Sequence, residues 1–131
     1  MRAARMMFVT GMISVLASSL TGACAEPSDR CQEVPDRLMD RIRSVLTEDA
    51  FVAGPGAAVK SSSYRHVYLV AVPIGVRGVG NETGVWATTS LDGHGTLTAA
   101  GEVASRLSSA SWGPDDPREG DDGWQEAASC V

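Results

Sequence analysis

Aromatic residues are scarce: two Phe, two Tyr and three Trp make up 5% of the 131-residue chain. The core must therefore rest on Val, Leu, Ile and Ala. Clustered basic residues are absent too, and the formal charge is −5 with a pI near 4.9. That argues against nucleic acid as a partner, because such binding draws on phosphate neutralisation by grouped Lys and Arg. No uninterrupted apolar run reaches the roughly 20 residues that a spanning helix needs. The Ser residues at 61–63 and Ser90 stand outside any Gly-x-Ser-x-Gly elbow, so a serine hydrolase has no signature here. The glycine-rich stretch 75–84 lacks both phosphate-cradle spacing and a Walker-type lysine. What remains, 44% hydrophobic and 21% charged, is the composition of an ordinary globular domain, and the length allows one.

The N-terminus reads as a processing segment. Arg2 and Arg5 give a positive start, and Met6–Leu20 is apolar but broken by Thr10, Ser14, Ser18 and Ser19. Residues 1–23 are therefore expected to be a secretory signal peptide. Leu20-Thr21-Gly22-Ala23-Cys24 has the form of a bacterial lipobox, in which Cys24 would be lipidated and become the first mature residue. The other reading is a small-x-small site, Ala23-Cys24-Ala25, cut before Glu26. Either leaves Cys31 and Cys130 as an even pair, suited to a disulfide outside the cytoplasm; only the lipobox gives Cys24 a purpose. Removing residues 1–23 takes two arginines from the charge of −5 and leaves −7, which favours solubility.

Residues 24–33 form a short polar tether, and 34–131 a single small domain. Pro35-Asp36-Arg37 opens a helix, with proline suited to the first position and the carboxylate to the first turn. Leu38, Ile42, Val45 and Leu46 make its apolar stripe, and Gly54-Pro55-Gly56 lies beyond its end. In 67–76 both alternating sets are apolar, as in a strand covered on two faces. With 84–90 across a Gly/Asn turn region it reads as a hairpin. Pro73 cannot donate to a ladder, so pairing on one side must stop or bulge there. The long strand is expected to start at Tyr64, and 99–109 to form a second, weaker helix. The stretch 113–123 is expected to be a solvated, loosely held acidic loop. The expected fold class is α+β: an N-terminal amphipathic helix packed on a short antiparallel sheet, a second helix and an acidic C-terminal loop.

Candidate chemistry is thin. Asp92-Gly93-His94 juxtaposes a carboxylate and an imidazole, but Asp-Gly is ordinary turn chemistry and no third metal ligand stands at useful spacing. Tyr64, His66 and Tyr68 would share one face of a strand, as a shallow groove wall or as the polar margin of the core. Asn81-Glu82-Thr83 matches a glycosylation acceptor and reads as a turn. Trp86, Trp112 and Trp124 read as core anchors. Asp115, Asp116, Asp121 and Asp122 lack the spacing of a calcium loop. No metal site, catalytic residue or cofactor is expected.

The stretches Gly56-Ala57-Ala58-Val59-Lys60-Ser61, Val67-Tyr68-Leu69-Val70-Ala71 and Gly84-Val85-Trp86-Ala87-Thr88-Thr89-Ser90-Leu91-Asp92-Gly93 resemble a group of small secreted or lipid-anchored actinobacterial proteins. Gly-Val-Trp-Ala-Thr-x-Ser-Leu-Asp-Gly is the most specific part. The resemblance implies an envelope location and carries no activity and no site residues. The expectation is an exported protein held at the membrane by lipid on Cys24, binding an envelope protein or a cell-wall component without catalysis. A secreted modulator or inhibitor, or a small hydrolase using His66 or His94, is the alternative.

Overall fold

A computed structural model describes residues 29–131, and the apolar run that dominates the sequence becomes the middle of its sheet. In chain order the elements are β1 (Gln32–Glu33), α1 (Asp36–Val45), β2 (Ala50–Val52), β3 (Ala57–Lys60), β4 (Tyr68–Val76), β5 (Gly80–Thr88), β6 (Leu97–Ala99), α2 (Glu102–Leu107) and α3 (Trp124–Ser129). The six strands form one antiparallel sheet in the order β1-β3-β4-β5-β6, with β2 also paired to β4.

This corrects the expected fold class. The framework is a six-stranded antiparallel sheet carrying three short helices, not a short antiparallel sheet with two helices and an acidic C-terminal loop. The physical reason is length: β1 and β2 have only two or three residues each, too few to display a period of two. The expected signal peptide, at 1–23, and Cys24 lie outside the described residues. β1 takes its residues from the end of the stretch read as tether.

Strand β4 explains its own composition. Val70, Val72 and Ile74 point to one face and are buried with Leu38, Met39 and Ile42 of α1, Trp86, and Ala104 and Leu107 of α2. Leu69 and Ala71 point to the other face and are buried with Val59, Val85, Ala87 and Ala127 of α3. Both alternating sets are thus apolar because helices lie on both faces. The backbone ties α1 to α2: Thr47 N–H donates to Leu107 O at 2.9 Å and Ser109 N–H to Val45 O at 2.8 Å.

On its β5 side β4 pairs without interruption from Tyr68↔Thr88 to Val76↔Gly80. On the other side β3 pairs with Tyr68–Ala71 and β2 with Ile74–Val76. Residues 53–56 bulge out between them, opposite Val72 and Pro73. Pro73 O accepts from Ala53 N–H at 2.8 Å, so the missing Pro73 N–H faces this bulge, where no ladder bond is lost.

The described residues are closed by a disulfide between Cys31 and Cys130, 99 residues apart, with Cα atoms at 6.1 Å.

Candidate binding groove at the sheet edge

Where the chain leaves β1 at Val34-Pro35 to enter α1, it abandons the sheet edge. At the same place the four residues 53–56 loop past Val72 and Pro73, between β2 and β3. Between them opens a groove of about 610 Å³, lined by Glu33, Val34, Asp36, Met39, Arg43 and the stretch 52–56. Val34, Met39 and Val52 supply its apolar surface, and they pack into the core beneath. Glu33 and Asp36 are exposed at its margin. Arg43 is held at 2.7 Å by Asp40, one turn back on α1. Gly54 and Gly56 let the segment lie close on β4: a Cβ would stand 3.1 Å from the Pro73 ring at Gly54 and 3.0 Å from Ala71 O at Gly56. Sequence reasoning missed this site: Gly54-Pro55-Gly56 reads as a helix breaker, and nothing local says that β1 and α1 will stand across from it.

The acidic stretch is corrected from a loosely held loop to an ordered one. Asp122 Oδ2 accepts from Ser62 N–H at 2.8 Å, from Ser62 Oγ at 2.5 Å and from Arg30 Nη2 at 3.2 Å. The Ser62 hydroxyl, then its N–H, then Arg30 hold the Asp122 carboxyl down at about 2. Arg30 also reaches Glu126 at 2.7 Å and Lys60 O, and Asp122 above all raises its pKa. Asp121 accepts from Tyr64 Oη and from Arg118 N–H, both at 2.9 Å. That bond to Asp121 raises the Tyr64 pKa. These ties fix the loop across the start of α3.

Tyr64, His66 and Tyr68 do not share a strand face, which corrects that expectation. Ser61 Oγ accepts from the N–H groups of Ser63 and Tyr64, and Ser61 N–H donates to Val67 O at 2.9 Å. Residues 61–67 therefore form a loop, with exposed His66 at φ 58 in the left-handed region, and β4 starts only at Tyr68. Asp92-Gly93-His94 is a turn in which Asp92 Oδ1 accepts from His94 N–H at 2.8 Å. That bond is the main reason the Asp92 pKa is lowered. Arg37 Nη1 lies 2.9 Å from His94 Nε2, and since a guanidinium only donates, the imidazole accepts there. Neither histidine lines the groove.

Asn81 lies exposed on β5 rather than in a turn. Of the tryptophans, Trp86 is fully buried, with Nε1 donating to Ser108 Oγ at 3.2 Å. Trp124 is half-buried and donates to Ala100 O. Trp112 is exposed, with Arg118 at 5.8 Å from its ring centre, which corrects its reading as a core anchor. Ser62 and Ser63 are exposed and Ser61 is buried.

Among the described residues no three His, Cys, Asp or Glu side chains gather as metal ligands, and no helix is long and apolar enough to cross a membrane. Comparison with protein-family models, with curated proteins and with solved structures finds no match.

Proposed function

We propose that the protein is an exported envelope protein, anchored by lipid on Cys24, that holds another envelope component in the groove at its sheet edge without transforming it. The observation that carries this reading is the groove itself, an open concavity that sets apolar Val34, Met39 and Val52 beside charged Glu33, Asp36 and Arg43. A disulfide closing the domain favours an oxidising compartment, in keeping with a signal sequence ahead of it. The lipobox at 20–24 supplies the anchor.

Two measurements test the two halves. Intact mass from the native envelope is expected to give a chain that begins at Cys24, carries diacylglycerol and lacks two hydrogens. A chain beginning at Glu26 without lipid would overturn the anchor and favour a secreted modulator. A photo-crosslinking residue at exposed Ala53 is expected to trap an envelope component in the native host, whereas one at exposed Gln125 on α3 traps none. No adduct from position 53, or equal adducts from both, would overturn the binding role.

A further inference from the structure

The groove is bounded by an open strand edge. Ala53 N–H donates to Pro73 O at 2.8 Å and Arg77 N–H to Asp49 O at 2.9 Å, so residues 49, 51 and 53 face β4. By alternation Ala50 and Val52 turn their peptide groups outward. Ala50 N–H folds back to Thr47 O at 3.1 Å, while Val52 N–H and C=O meet no protein partner among the described residues. An unpaired edge of this kind is a template for an added strand.

Charge selects the strand. Glu33 and Asp36 stand at the margin with no salt-bridge partner among the described residues, and Arg43, the one base in the lining, is matched by Asp40. Resting on the binding role above, we propose that the groove takes an extended basic segment of a partner protein, paired with Val52 along β2. Alternate side chains of an extended segment point in opposite directions. An aliphatic residue would then rest on Val34 and Met39 while flanking Lys or Arg side chains reach Glu33 and Asp36. Because β2 has only three residues, the contact is short, and the probes are chosen for weak binding.

The test uses the protein with its disulfide intact, followed by amide NMR. Three capped peptides serve as probes: Lys-Val-Lys-Val-Lys, the same peptide N-methylated at its valines, and Glu-Val-Glu-Val-Glu. The basic peptide is expected to shift the Val52 amide saturably. N-methylation, which removes both valine N–H donors, is expected to weaken it about tenfold. The acidic peptide is expected to leave Val52 unmoved, and the pair Glu33→Gln with Asp36→Asn to abolish the preference for the basic one. Equal binding of acidic and basic peptides, indifference to N-methylation, or no binding would overturn the proposal. A glycan adduct from Ala53 together with no peptide binding would overturn the peptide and keep the binding role; no adduct from Ala53 would overturn the role itself.

Discussion

Asp122 gathers three donors from two distant segments, Ser62 and Arg30, and this gives the fold a pH signature. Its carboxyl titrates near 2 when folded against an ordinary 3.8. A depressed folded pKa means that the stabilisation is complete above about 3.8 and is lost as pH falls towards about 2. Asp122→Asn is expected to lower the urea midpoint at pH 7 and to flatten its fall between pH 4 and pH 2, roughly the window set by those two pKa values. An unchanged acid limb would mean that the carboxylate does not tie the loop down. Two glycines show how the same substitution can differ. A Cβ on Gly84 would lie 2.5 Å from the Trp86 ring, which is fully buried and tied to Ser108. Gly84→Ala is therefore expected to cost about 1–3 kcal/mol as overpacking. A Cβ on Gly75 would run into the Phe51 ring, yet Phe51 is 49% exposed and can swing out. Gly75→Ala is expected to cost clearly less. Denaturant unfolding of the two variants side by side checks the order.

Among the elements, α3 is the one most dependent on its surroundings. Six residues cannot hold a helix alone, and no side chain caps its start. What holds it is Ala127, fully buried against the far sheet face, with Cys130 bonded at its end. Ala127→Asp would place a carboxylate in that apolar contact and is expected to cost at least about 3 kcal/mol. Hydrogen exchange should show the α3 amides losing protection first. The legibility of the elements follows from where their information lies. The β4–β5 hairpin was readable because β4 is a continuous apolar run long enough to stand out and Gly78, at φ 76, marks the turn. The start of β4 was misread because Tyr64, His66 and Tyr68 alternate like a strand, while the Ser61 hydroxyl that bends the chain into a loop acts through hydrogen bonds. β2 and α3 are too short to announce themselves. The acidic stretch looked solvated because its partners lie 60 and 92 positions away. The groove was illegible for the same reason: its walls come from β1, α1 and the 53–56 bulge, which only the sheet topology brings together.

For the whole molecule the decisive covalent fact is the Cys31–Cys130 bond. It closes almost all of the described chain into one loop, for which the chain-entropy treatment gives about 4–5 kcal/mol. The double variant Cys31→Ser with Cys130→Ser is expected to lose stability on that scale, read as a shift of the denaturant midpoint. Wild-type protein treated with reductant should reproduce it. A domain of this size has little reserve to absorb such a loss.

The same bond sets how the domain bears load. A pull applied at residue 29 and at Val131 enters and leaves through neighbouring points, since Cys31 and Cys130 are 6.1 Å apart at their Cα atoms. Tension would cross the sulfur bridge and bypass the sheet, leaving the groove slack while the ends are stretched. Only after reduction would the strands lie in the line of force.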